Sequence, residues 1–257
     1  MLELKNVTKY YNPGTVNELC LFEHFNLVIP DQQFVSVVGS NGSGKTSMLN
    51  MICGSIDTDE GQILVHGQDI GKKKDFERHR KIGRVFQDPA KGTCPSMTIL
   101  ENMSIADNKG KGCGLKRGKN KHKLEEYQEM LRSLNLGLED KMETKVGSLS
   151  GGQRQTLALL MAVMTPIEFL ILDEHTAALD PKTAELVMEL TGKIVEQKKV
   201  TTIMVTHNLR YAVEYGDRLL MMHQGNTVMD CQGEEKRQLK VEDILQTFNE
   251  ISIECGN

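Results

Sequence analysis

Apolar and polar positions alternate over the first 30 residues. Leu2 to Val7 (LELKNV) has a period of two, and Cys20 to Ile29 (CLFEHFNLVI) is a second β-rich run. Asn12-Pro13-Gly14 predicts the turn between them. Phe34 to Val38 is a short, almost continuous apolar run that stops at Gly39, as expected of a parallel strand covered on both faces. Thr46 to Cys53 (TSMLNMIC) changes to a helical period, and Gly54 closes it. Asp59-Glu60-Gly61 predicts another turn, followed by a strand over Gln62 to Ile70 (QILVHGQDI).

From about residue 94 to 148 the pattern is amphipathic and helical. Met97 to Ala106 and Leu124 to Leu136 read as helices with no strong strand between them. With the helix that follows, this predicts a mostly helical subdomain over roughly 94–165, inserted in an α/β core. Inside it, Asp107 to Lys123 carries seven Lys/Arg and one Asp. That segment reads either as a solvated loop or as a contact for anionic lipid headgroups or an acidic partner. Alternation resumes with a helix through Leu157 to Met164 that stops at Pro166. Then come a buried strand at Phe169 to Leu172, a helix over 182–197, and a strand at Thr201 to Thr206. A short helix, the strand Arg218 to His223 and a final helix over 241–251 complete the pattern. Alternating β and α elements imply a largely parallel sheet covered by helices. The whole of 1–257 reads as one such domain, with 231–257 as a C-terminal extension.

The length of 257 residues suits one or two domains with a real core. Hydrophobic residues at 39% and charged residues at 26% exclude a disordered or collagen-like chain. The balance of 31 Lys+Arg against 35 Asp+Glu gives a net charge of −4, which lacks the basic footprint of a nucleic-acid binder. With no Trp and 5% aromatic residues, base-stacking platforms are not expected either. The longest apolar stretch, Leu157 to Met164, is far shorter than the ~20 residues that span a bilayer. The first residues lack the apolar core of a signal peptide, and neither end carries a lipidation signal. None of the six cysteines lies in a CxxC pair, which points to free thiols in a reducing compartment.

Three segments carry chemistry. Gly39-Ser40-Asn41-Gly42-Ser43-Gly44-Lys45-Thr46 fits G-x-x-x-x-G-K-[ST], the phosphate-binding P-loop, between a predicted strand and a predicted helix. Its glycines let backbone N–H groups converge on phosphate oxygens, and the helix that follows, with Ser47 in its first turn, points its positive dipole end at the same anion. Lys45 is expected to reach the β- and γ-phosphates and Thr46 to ligate Mg²⁺. Second, Phe169 to Leu172 delivers Asp173 and Glu174 at a strand end. That suits Asp173 as a Mg²⁺ ligand, direct or through water, and Glu174 as the base that accepts a proton from an attacking water. Third, Leu149-Ser150-Gly151-Gly152-Gln153 precedes a helix without following a parallel strand. It reads either as a Ser N-cap with a glycine turn or as a displaced anion site completed by another subunit.

These motifs, in this order and with a later strand-end histidine, resemble the ATPase domain of ABC transporters over Leu2 to at least Asp230. The resemblance implies a P-loop NTPase core with a mostly parallel sheet, an N-terminal antiparallel β region and a helical insertion. It implies ATP and Mg²⁺ as cofactors, and Ser150, Gly151, Gly152 and Gln153 serving ATP held by a second copy of the chain. Tyr11 matches the aromatic that stacks on adenine, with Tyr10 as the neighbouring alternative. Gln87 matches the glutamine that ligates metal and links nucleotide to the helical subdomain, although alone it reads as an ordinary polar residue after a strand. Asp180 matches the loop facing the partner's site. His207, 34 residues after Asp173, matches the switch histidine at the γ-phosphate. One departure follows Glu174. His175 stands where the family carries proline, and Ala177 where it carries serine. His175 is expected beside the base, where it could perturb it.

The family reading gives an ATP-hydrolysing subunit of a bacterial importer, peripheral on the cytoplasmic face of the membrane. Its partners would be separate permease subunits, docking near 88–101, and a substrate-binding lipoprotein. His175 to Pro181 (HTAALDP) resembles stand-alone importer subunits, some tied to aromatic amino acids. A soluble ABC-type ATPase of translation or DNA repair is the alternative, against which stand the one P-loop and the lack of sustained heptads. A P-loop kinase would leave LSGGQ and His207 unexplained.

Overall fold

The computed structural model describes residues 1–111 and 120–254. Its strands are β1 (Leu2–Tyr11), β2 (Leu19–Ile29), β3 (Phe34–Gly39), β4 (Glu60–Val65), β5 (Gln68–Asp69), β6 (Ile82–Val85), β7 (Phe169–Asp173), β8 (Thr201–Val205), β9 (Arg218–His223) and β10 (Asn226–Gln232). Its helices are α1 (Lys45–Cys53), α2 (Asp75–His79), α3 (Ile99–Asp107), α4 (Leu124–Arg132), α5 (Gly151–Val163), α6 (Pro181–Lys198), α7 (Leu209–Glu214), α8 (Gly233–Gln238) and α9 (Val241–Glu254). The chain forms two compact units, residues 1–72 with 201–257, and residues 73–200.

In the first unit, β1 pairs antiparallel with β2 and β4. Its alternation does what the sequence predicts: Leu2 and Leu4 are buried and Lys5 is exposed. The single strand expected over Gln62 to Ile70 is a hairpin instead. His66 and Gly67 both take positive φ, 48° and 77°, and β5 folds back so that Val65 faces Gln68. A two-residue turn with both φ positive matches the twist of the flanking strands. The His-Gly pair was the signal for it, because histidine enters the left-handed region more readily than most residues. β3 pairs in parallel with β8 on one side and β9 on the other, and all six of its residues are buried. β10, unanticipated from sequence, pairs antiparallel with β9 and is exposed along most of its length, which blurs its alternation. Ala212 of α7 and Ile244 of α9 pack with Val38, Leu219 and Met221.

In the second unit, β6 and β7 run parallel, with Ile82 opposite Phe169. Helices α3, α4, α5 and α6 share a core that includes Ile99, Met103, Tyr127, Leu131, Leu157, Leu160 and Leu190. Each fully buried Leu or Ile there contributes about 1.5–3 kcal/mol. α3 starts with a capping box in which Thr98 and Glu101 satisfy each other's backbone N–H groups. The basic segment 107–123 is tied at both ends. Asp107 pairs with Lys111 and Lys123 and accepts a 3.1 Å hydrogen bond from the Tyr127 hydroxyl. Burial pushes that hydroxyl's pKa up, so it stays a donor. The centre of the segment, 112–119, lies outside the described residues.

Candidate nucleotide site

The first unit holds the P-loop. β3 ends at Gly39, where a Cβ would stand 2.2 Å from the Met222 carbonyl oxygen, so only glycine fits between these parallel strands. Gly44 (φ 102°) caps α1, and a Cβ there would meet Phe22 Cζ at 2.7 Å. Gly42 is left-handed too, yet faces open space, which leaves its backbone approachable. The loop is braced from below: the Ser43 carbonyl accepts a 3.0 Å hydrogen bond from Gly225 N, in the β9–β10 turn. Lys45 is buried, and its Nζ donates to the carbonyls of Gly39 and Ser40 at 2.8 and 2.9 Å. No side chain caps α1, so its leading N–H groups point at the space the loop encircles. Asn41 and Thr46 are exposed, Ser40 and Ser47 half-buried.

Tyr11, at the end of β1, donates its hydroxyl to Ser47 Oγ at 3.0 Å, which ties the aromatic ring to the first turn of α1. Tyr10 stands opposite Cys20 on β2, whose thiol raises the pKa of the tyrosine hydroxyl. Of the two tyrosines, the structure brings Tyr11 to the P-loop helix. β8 lies beside β3 in parallel, with Val205 opposite Val37, so His207 emerges at the same carboxyl edge as the loop. That edge is where open parallel sheets bind ligands.

The second unit holds the carboxylates. Asp173 ends β7, and its Oδ2 accepts a 2.8 Å charge-assisted hydrogen bond from Arg84 Nη2 on β6. Glu174 follows with φ 50°, a left-handed turn that is strained for a non-glycine residue and common at functional sites. Gln87 is exposed just past β6, and the Phe86 carbonyl before it accepts a 3.0 Å hydrogen bond from the buried Gln155. Sequence reasoning passed over Arg84, although a lone cation in the strand Ile82-Gly83-Arg84-Val85 was a visible signal.

His175 answers a question that the sequence leaves open. It is fully buried, with Nε2 3.2 Å from Thr191 Oγ1, and burial pushes its pKa down to about 4. Thr191 gives its one proton to the Val187 carbonyl at 2.7 Å, so Nε2 is the protonated nitrogen of a neutral ring. At neutral pH, His175 therefore brings no positive charge to Glu174; it anchors the loop to α6.

Ser150 caps α5, accepting from Gln153 N at 3.3 Å, while Gln153 Oε1 accepts from Ser150 N at 3.2 Å. The ordinary capping role of this segment is thus present, and the Ser150 hydroxyl keeps its own proton to donate. Gly151 is exposed. Gly152 is buried, and a Cβ there would stand 2.1 Å from Thr183 Cγ2. Thr183 lies in the first turn of α6, whose N-cap is Asp180. Hydrogen bonds from Thr183 hold the Asp180 carboxyl below the usual carboxylate range.

The ABC transporter family matches residues 22–177, from β2 through the P-loop to the turn after β7. The chain belongs to the ABC transporter family. It is 48% identical over 250 residues, 96% of this chain and 98% of the relative, to a tyrosine transport ATP-binding protein of Clostridioides difficile (strain R20291). It is 32% identical to a phosphonates import ATP-binding protein of Lactobacillus delbrueckii subsp. bulgaricus, over 95% of this chain and 94% of that one. A dimeric ATP-binding cassette, solved in a post-hydrolysis state with ADP and Pi, superposes with a TM-score of 0.76 at 31% identity, covering 90% of this chain and 98% of that one. The fold and the activity expected from the motifs therefore hold: this ABC cassette binds and hydrolyses ATP as the energising subunit of a membrane transporter. Among the described residues, no helix is long and apolar enough to cross a membrane.

Proposed function

We propose that two copies of this cassette sandwich ATP at the cytoplasmic face of the membrane and power import of an aromatic amino acid. Separate permease subunits, docking near 88–101 of the helical subdomain (94–165), would form the path, and a substrate-binding lipoprotein would deliver the solute. The observation that carries the substrate class is the 48% identity to a tyrosine transport subunit along nearly the full length of both chains.

In this reading the P-loop amides, the α1 N-terminus and the Lys45 ammonium hold the phosphates, Tyr11 covers the adenine, and His207 touches the γ-phosphate. Glu174 takes the proton from the attacking water. Ser150, Gly151, Gly152 and Gln153, with Asp180, serve the nucleotide of the partner copy. Thr46, Gln87 and Asp173 offer a hydroxyl, an amide and a carboxylate oxygen, the hard donors that Mg²⁺ prefers. When bound, Mg²⁺ offsets the phosphate charge; the protein's part is to present these oxygens.

The test is reconstitution in liposomes with the permease and the binding protein that co-purify with the cassette. ATP-dependent uptake of radiolabelled tyrosine, competed by phenylalanine but not by phosphonates or polyamines, is expected. Uptake of a chemically different solute, with tyrosine excluded, rejects the substrate assignment and leaves the ATPase intact.

A further inference from the structure

Arg84 sits on β6 with its side chain only 8% exposed, between buried Gly83 and Val85. Three contacts fix what surrounds it. Its Nη2 lies 2.8 Å from Asp173 Oδ2. Its guanidinium carbon lies 4.7 Å from the centroid of the Phe86 ring. Phe86 is itself pinned through its carbonyl by Gln155, at 3.0 Å. Arg84 Nε is buried without a hydrogen-bond partner among the described residues. A guanidinium cannot shed its proton to escape that environment, so it keeps its charge and depends on Asp173 for compensation. The ring beneath it adds a cation–π contact that favours the same position. The result is a permanent cation between Asp173 and the segment that leads to Gln87.

We propose that Arg84 is a resident counter-cation of Asp173 that lowers the affinity of the cassette for its divalent metal ion. The inference rests on the assignment of Asp173 to that metal. A carboxylate shared with a guanidinium has less charge to offer a second cation, and the two positive ions repel. Asp173 Oδ1 lies on the other branch of the carboxylate and remains available, so sharing is geometrically possible and replacement of Arg84 is not required. Arg84 is thus a positioning residue: it orients Asp173 and sets how tightly metal is retained between turnovers.

The experiment measures Mn²⁺ binding to the full-length chain in the presence of ADP, by electron paramagnetic resonance, for wild type, Arg84→Met, Arg84→Lys and Asp173→Asn. Thermal unfolding checks that each variant is folded. Arg84→Met keeps the stem over Phe86 but removes the charge, and should bind Mn²⁺ about tenfold more tightly, the size of a one-unit electrostatic perturbation. Arg84→Lys, which keeps the charge, should stay within about twofold of wild type on the same reasoning. A purely structural role for Arg84 cannot produce a gain in affinity. Equal or weaker Mn²⁺ binding by Arg84→Met, or Arg84→Lys behaving like Arg84→Met, overturns the proposal. Asp173→Asn separates the two levels: weakened binding there with no gain in Arg84→Met sinks the Arg84 inference alone, whereas unchanged binding in Asp173→Asn removes the metal assignment and this inference with it.

Discussion

At the scale of single residues, the site divides into groups whose chemistry is written in their identity and groups whose chemistry depends on what they touch. Glu174 belongs to the first class. An amide in its place keeps the shape but cannot accept a proton, so Glu174→Gln should retain ATP binding while hydrolysis falls by about 10²–10⁴-fold. Phosphate release under single-turnover conditions reads this directly, and wild-type turnover would reject the assignment. His175 belongs to the second class. Its position beside Glu174 in sequence suggested influence on the base, yet its ring is buried against Thr191 and stays neutral. The consequence is a stability effect with a definite sign. The folded-state pKa, about 4, lies below the ordinary value of 6.5, so the unfolded chain binds this proton more readily. The stabilisation is complete above about pH 6.5 and is lost as pH falls towards 4. Between pH 7 and 5, wild type should lose about 2 kcal/mol more than His175→Gln, measured by urea unfolding at each pH. Parallel pH profiles for the two proteins would contradict it. The P-loop, LILDE and LSGGQ segments were legible because each is contiguous and each spacing has a chemical reason. The Arg84–Asp173 pair was not, because its members are 89 positions apart and meet only through the pairing of β6 with β7.

At the scale of elements, long periodic segments announced themselves and short ones did not. β3, continuous and apolar, and α5, with its apolar run ending before Pro166, follow directly from pattern. β5, two residues long, and β10, exposed along most of its length, have too little burial to impose a period. Of the side-chain caps at Thr98, Ser150 and Asp180, the sequence reading places Ser150 alone at a helix start. What sequence could not convey is how tightly one helix end packs on another. The start of α5 meets the start of α6 at Gly152, with Thr183 2.1 Å from where a Cβ would stand. Gly151, one residue earlier, would place its Cβ 3.5 Å from Leu179, an ordinary contact. Two adjacent glycines in one motif therefore answer to different constraints. Gly152→Asp should destabilise the chain itself by about 1–3 kcal/mol through overpacking. Gly151→Asp should leave stability nearly unchanged, since an acidic residue in the first turn suits the helix dipole. Denaturant midpoints of the two variants decide the matter, and equal midpoints would show that the α5–α6 contact yields without cost.

At the scale of the whole molecule, the question is whether one chain completes a site by itself. Among the expected groups, Lys45 and Thr46 open α1, His207 follows β8 at the carboxyl edge it shares with β3, and Tyr11 at the end of β1 is hydrogen-bonded to Ser47 of α1. The LSGGQ segment belongs to the other compact unit, where its Ser150 hydroxyl retains a proton to donate and Gly151 is open to solvent. The family reading has these residues act in trans, on ATP bound by the partner copy. Gly151→Asp is the right probe, because it adds a negative charge at an exposed position without the internal clash that Gly152→Asp would cause. On its own, Gly151→Asp should bind ATP with near-wild-type affinity through its intact Lys45, yet neither dimerise nor hydrolyse, since like charges repel strongly across a desolvated interface. Lys45→Ala on its own should lose ATP affinity, because the β- and γ-phosphate charge is left uncompensated. When the two are joined in one covalently linked dimer, one composite site carries both lesions and the other carries neither. Half of the sites are then wild type, so ATPase activity should return to a measurable fraction of the linked wild-type dimer, capped near one half if sites act independently. A linked Gly151→Asp homodimer supplies the baseline, with both sites damaged. A site built within one chain predicts the reverse: Gly151→Asp would weaken ATP binding in the isolated monomer, and the mixed pair would do no better than the baseline. Calorimetric ATP affinity of the single variants and steady-state hydrolysis by the linked pairs together settle which chain LSGGQ serves.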